Sequence, residues 1–167
     1  MSLSYELVIK ALGAFFLFVS VGVWVANNKR QAGERLQRLR GQIEFVAFVR
    51  ERIDRYLLPI SQIIKECDKE TESKVTIGCE SAEFIDIDGL RAILRTGRYY
   101  SDGGDEFDRF LSSLGASYRE DEVASCDACI KDLSAIYGKI SVEIPKEEKS
   151  RAVLAFCFAA AIVIILF

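Results

Sequence analysis

The pair Cys126-Asp-Ala-Cys129 has a spacing that could do chemistry, because a C-x-x-C can exchange a disulfide or supply half of a zinc site. A second zinc half-site is missing from the pattern, since the chain has no histidine and Cys67 and Cys79 stand twelve residues apart. Cys126 also falls on an apolar helical seam, so core packing is the favoured reading of the pair. Without histidine, the usual general base of a Ser or Cys triad is absent. No G-x-x-x-x-G-K-[ST] loop is present, and no two carboxylates stand out as an acid and base pair. These absences predict no catalytic residues, no bound cofactor and no metal ligands.

The pentapeptide Gly103-Gly104-Asp105-Glu106-Phe107 spells GGDEF and resembles the signature of the diguanylate cyclase domain. That resemblance implies a strand-turn-strand hairpin in an α/β domain, with glycines admitting a nucleotide and an acidic residue helping to hold a divalent metal. Asp86-Ile87-Asp88 looks like the other metal-binding stretch of such cyclases. The surroundings disagree. DRFLSSLG after the motif has helical period, and fourteen residues between Asp88 and Gly103 cannot hold the intervening helix and substrate-contacting segments of that family. The chain also lacks the strand-helix alternation of an α/β sheet. The residue-level reading is a Gly-Gly turn with Asp105 and Glu106 in a first helical turn, where negative charge complements the helix dipole. A cyclic-dinucleotide enzyme or sensor is one alternative function, and a simple membrane anchor for another cytoplasmic partner is the other.

The elements that position these residues lie between two uncharged ends. Of 22 Lys and Arg only Lys10, and of 25 Asp and Glu only Glu6, lie outside residues 27–151, so the centre keeps the whole net charge of −3. Residues 7–26 predict a transmembrane helix in which Lys10 snorkels to the interface. Residues 152–167 predict a second span, although sixteen residues give about 24 Å of helix against roughly 30 Å of hydrocarbon, so thinning or snorkelling of Lys149 and Arg151 is needed. A cleaved signal peptide is disfavoured, because MSLSYE carries no cation and Trp24 occupies the place of a small residue. Lys29, Arg30, Arg35, Arg38 and Arg40 follow the first span, and Lys139, Lys146, Lys149 and Arg151 precede the second. By the positive-inside rule the centre is cytoplasmic and both termini face the opposite side. The five cysteines, of which Cys157 lies in the second span, are expected to be reduced.

The period of the centre predicts helices, and the expected fold class is all-α, two terminal transmembrane helices bracketing a cytoplasmic antiparallel helical bundle. Leu36, Leu39, Ile43, Val46, Ile53 and Leu57 follow three-four spacing, interrupted by Arg50, so one long helix continues out of the first span. Gly33 and Gly41 weaken it, each by about 1 kcal/mol relative to Ala. Pro59 ends it and opens a shorter helix to about Lys69. Residues 68–88 read as loop, with short strands conceivable at KVTIG and EFIDID. A brief helix follows at Leu90–Arg98 and a turn at Ser101–Gly104. Phe107, Phe110, Leu111 and Leu114 make the next helix amphipathic. Gly115 stops it, and Ser117 with Glu120 forms an S-x-x-E capping box. Val123, Cys126, Ile130, Leu133, Tyr137 and Ile140 give the last helix a seam for the first to pack on. Shorter helices would cap the distal end of that stalk, and Pro145 would set the angle of return to the bilayer.

The order of a first span, RLQRLRGQIEFV, LLPISQII, FLSSLGASYREDE, a long helix and KSRAVLAF entering a final span resembles stage III sporulation protein AB. The resemblance is best over Phe107–Glu122 and at both ends; between Asp68 and Asp88 the chain departs from the family pattern. It implies a cytoplasmic domain over 27–151 similar to that of type II secretion system protein F, in a non-enzymatic platform subunit. The place implied is the mother-cell side of the channel to the forespore, in the outer forespore membrane. Implied partners are the sporulation ATPase of the same set and ring-forming membrane subunits. The charged helix start Arg119, Glu120, Asp121 and Glu122 is the candidate docking patch, against the blander reading that helix starts are often acidic. Asp102, Asp105, Glu106 and Asp108 form a second acidic candidate. No nucleic acid is expected, since the centre is net acidic and its basic cluster lies where anionic lipid explains it. Tyr99 and Tyr100 beside Arg98 read as a helix-end packing pair rather than a stacking platform.

Overall fold

The computed structural model describes residues 2–56, 59–79, 86–98, 100 and 102–166. Their regular structure is helical throughout: α1 Ser2–Tyr56, α2 Ile60–Lys65, α3 Lys69–Val75, α4 Ile87–Thr96, α5 Gly104–Ser113 and α6 Arg119–Leu166. Among the described residues there is no strand, and the all-α class is the observed one. The chain divides into two compact units, one of Met1–Ala32 with Val142–Phe167 and one of Gly33–Ser141.

In the first unit both apolar ends meet. Leu17, Val21 and Trp24 of α1 and Ala155, Phe158 and Ile162 of α6 line one apolar crevice, beside which Ala159 is buried. Phe15, Phe16, Val23, Val153 and Ile164 stay exposed. Among the described residues α1 alone is long and apolar enough to cross a membrane. Pro145 lies inside α6 without ending it.

In the second unit α1 and α6 run antiparallel. Asp54 pairs with Arg119, Arg50 with Asp127, and Leu39 and Leu133 both close on Gly103, so numbers rise along one helix as they fall along the other. The expected seam is buried at Leu39, Val46, Ile53, Cys126 and Leu133, while Leu57 lies outside the described residues. Burial extends well beyond that seam, to Arg38, Gln42, Phe45 and Val49. Gln42 is fully buried, and neither end of its amide has a hydrogen-bond partner among the described residues.

The shorter helices explain the extra burial and correct their expected place. Helices α3 and α5 line the flank of the α1–α6 pair rather than capping one end of it, while α2 sits by Gly115 at the distal end. Gly41 of α1 touches Lys74 and Val75 of α3, Arg35 holds Asp102, and Phe45 meets Phe107 of α5 edge to face at 5.9 Å. A helix packed on two sides must bury two faces, and a single heptad seam predicts only one.

Three local expectations also change. The loop expected over 68–88 contains α3, whose cap is Asp68: its carboxylate accepts the Thr71 N–H at 2.6 Å, and Glu70 and Glu72 fill the first turn. KVTIG is therefore a helix end and turn rather than a strand, with Gly78 at φ 81. Residues 83–85 of EFIDID lie outside the described residues, as do Tyr99 and Ser101. Helix α4 starts at Ile87 rather than Leu90, because Asp86 caps it by accepting the Gly89 N–H at 2.7 Å. Helix α2 stops at Lys65.

Candidate functional site

The cysteine pair is packing material. Cys126 is fully buried and Cys129 nearly so, and burial pushes both thiols up to about 12. A thiol so far from its thiolate is a poor nucleophile and a poor metal ligand at neutral pH. Cys67, pushed up to about 11 by burial and then by Asp68 and Glu72, is similarly inert.

The GGDEF residues start a helix. Gly103 sits at φ 79, a left-handed conformation that glycine adopts without strain, with Leu39 and Leu133 against it. Gly104 packs on the Tyr100 ring, Asp105 and Glu106 occupy the first turn, and Phe107 enters the core. Of the neighbouring carboxylates, Asp102 takes a two-pronged bond from Arg35 at 2.6 and 2.7 Å. Asp108 receives Arg91 and Arg95, each at 2.8 Å. The upstream Asp86 is spent on its cap. Among the described residues no three His, Cys, Asp or Glu side chains gather as a metal site.

Asp108 also gives a pH signature. Its bond from Arg91, then that from Arg95, holds its carboxyl below the usual carboxylate range despite partial burial. A lowered folded-state pKa stabilises the fold above the unfolded value, which is about 4, and that contribution disappears as pH falls through the folded value. Asp108→Asn should therefore lower the thermal midpoint at pH 7, with the gap to the parent closing below about pH 4. A gap that stays constant across that range would show that the ion pairs contribute nothing.

The helix start Arg119–Glu122 is where the most chemistry remains open. Arg119 donates to the carboxylate of Asp54 at 2.8 Å and to the Asp54 carbonyl. Glu122 turns inward: its Oε1 accepts the N–H of Gly115 at 2.8 Å and of Ser117 at 3.0 Å, leaving the residue 5% exposed. It is Glu122, not Glu120, that reaches back over the turn, so the expected Ser117–Glu120 box is replaced by a clasp from two residues further along. The first helical bond runs from the Glu122 N–H to the Tyr118 carbonyl, which puts Glu120 and Asp121 in the exposed first turn. Tyr118 beside them is 87% exposed.

A groove of about 640 Å³ opens at this helix start. Ile53, Pro59, Ile60, Ile64, Ile87 and Leu114 give it an apolar lining, and Asp86, Asp88, Arg119 and Glu122 give its polar edge. Nothing in the sequence reading singled it out, because its walls come from α1, α2, α4 and α6 and no periodicity connects them. No family model matches the chain, and neither does any curated protein or solved structure.

Proposed function

We propose that the chain is a non-enzymatic membrane platform subunit. In this reading both apolar ends cross the bilayer and the helical unit faces the cytoplasm, where it docks a partner ATPase. The observation that carries the reading is the continuity of α1, a single helix that holds the membrane-length apolar stretch and then the buried seam of the Gly33–Ser141 unit. A helix built that way ties a folded cytoplasmic body to lipid without a linker. The meeting of the two apolar ends in one unit, with Phe15, Phe16 and Val23 turned outward, supports a two-span anchor. The resemblance to stage III sporulation protein AB supplies the setting: the mother-cell side of the channel to the forespore, with the sporulation ATPase and ring-forming membrane subunits as partners.

The experiment is capture of the sporulation ATPase from lysate of sporulating cells by the full chain in lipid nanodiscs. A parallel assay would follow GTP turnover with magnesium. Capture without turnover is the expected outcome; formation of a cyclic dinucleotide would overturn the reading. Docking on the α6 start makes a sharper prediction. The double variant Glu120→Lys and Asp121→Lys should lose ATPase capture while keeping the parent's helical circular dichroism, because neither side chain supports the fold. Glu122 is left unchanged in this test, since its carboxylate holds the turn. Undiminished capture by the double variant would remove the patch.

A further inference from the structure

The groove at the α6 start is apolar inside with Asp86, Asp88 and Glu122 against Arg119 on its lining, and packing among the described residues leaves it open. The charge balance there is asymmetric for a physical reason. Arg119, the cation on its lining, is neutralised by Asp54, whereas the Asp88 side chain is 93% exposed and, among the described residues, has a 3.8 Å contact to Arg91 alone. Glu120 and Asp121 lie outside the lining, exposed in the first turn of α6 between its lining residues Arg119 and Glu122. Two of the lining carboxylates are already engaged, Glu122 on Gly115 and Ser117 and Asp86 on Gly89. What the groove offers is aliphatic surface inside and negative charge around it, with the exposed ring of Tyr118 beside it.

We propose that this groove receives an amphipathic helix of a partner protein, its apolar face seated on Ile53, Ile60, Ile64 and Leu114 and its flanking Lys or Arg side chains paired with Asp88, Glu120 and Asp121. Helix-in-groove binding uses apolar anchors at i, i+3, i+4 and i+7, and complementary charge sets its register and speeds its encounter. The inference rests on the platform reading and names the chemistry of what docks.

The test places a photo-cross-linking amino acid at Ser61, and in a second variant at Ser117, in the full chain in sporulating cells. Both residues are exposed and line the groove. The cross-linked segment is then mapped by mass spectrometry. The expected product is a segment with apolar residues at helical spacing and at least two flanking cations, whose yield falls about five-fold or more when Glu120→Lys and Asp121→Lys are added. A product with an acidic segment, with a second copy of this chain, with a small molecule only, or no product from either position overturns the proposal. The two failures separate cleanly. A basic amphipathic segment from a protein other than the ATPase keeps the groove assignment and sinks ATPase docking. Captured ATPase with no cross-link from Ser61 or Ser117 does the reverse.

Discussion

Phe107→Ala should destabilise the protein by about 3–5 kcal/mol, whereas Asp105→Asn and Glu106→Gln in the same pentapeptide should each change stability by less than about 0.5 kcal/mol. Phe107 is fully buried, meets Phe45 edge to face at 5.9 Å and stacks on Phe110 at 6.3 Å. Removing its ring takes away an aromatic cluster and leaves a cavity that the α1 and α5 backbones cannot close. The two carboxylates at the α5 start complement the helix dipole, and Asp105 also accepts a bond from the Tyr100 hydroxyl that the Asn amide oxygen can still accept. Thermal and urea unfolding of the full chain in detergent micelles measures this contrast. In a nucleotide site built on the GGDEF residues the acids would be the sensitive positions; in a helix start the phenylalanine is. A large loss at Asp105 or Glu106 with little at Phe107 would reverse that assignment.

The second large effect is expected at Gly41. A Cβ there would stand 2.5 Å from the Lys74 Cβ, 2.9 Å from the Lys74 carbonyl carbon and 3.0 Å from the Val75 nitrogen. These are backbone and stem atoms of α3, so they cannot rotate away, and α3 is further clipped to α1 by Lys74 on Glu44 at 3.0 Å. Gly41→Ala should lower stability by about 1–3 kcal/mol through overpacking, even though alanine is the better helix former. Gly33 has nothing within 4 Å of the same position. Gly33→Ala should therefore raise stability by up to about 1 kcal/mol. The pair is informative because the two glycines share one helix and differ in what faces them. Equal gains at both would mean that α3 does not lie where it is described.

Much of the helical framework could be read directly from residue spacing. The seams of α1 and α6 are long and regular, Pro59 closes the first segment, and Gly115, at φ 90, separates α5 from α6. Long periodic elements advertise themselves because many residues repeat one message. Helix α3 does not, since only Thr71 and Val75 of its seven residues are buried. Its signal was chemical: Asp68 followed by Glu70, Thr71 and Glu72, a cap and an acidic first turn inside a stretch too polar to show a period. Gly41 was misread for a related reason, because propensity prices glycine by its own helix and not by a neighbour that touches it. The candidate docking patch is legible as charge but not as geometry. Nothing in the letters REDE distinguishes Glu122, which folds inward onto Gly115 and Ser117, from Glu120 and Asp121, which stay in water.

The antiparallel pairing of α1 with α6 also bears on how the protein is made. All-helical domains usually fold fast because their contacts are local in sequence. Here the ties are distant: Arg50 and Asp127 are 77 positions apart, Arg35 and Asp102 are 67, and Asp54 and Arg119 are 65. The side of α1 that packs on α6 consequently waits for the last third of the chain, and during synthesis it is an open hydrophobic surface with no cognate cover. Translation order thus makes the nascent chain depend on early capture, whether by lipid or by a chaperone, for longer than its small size and helical class would suggest.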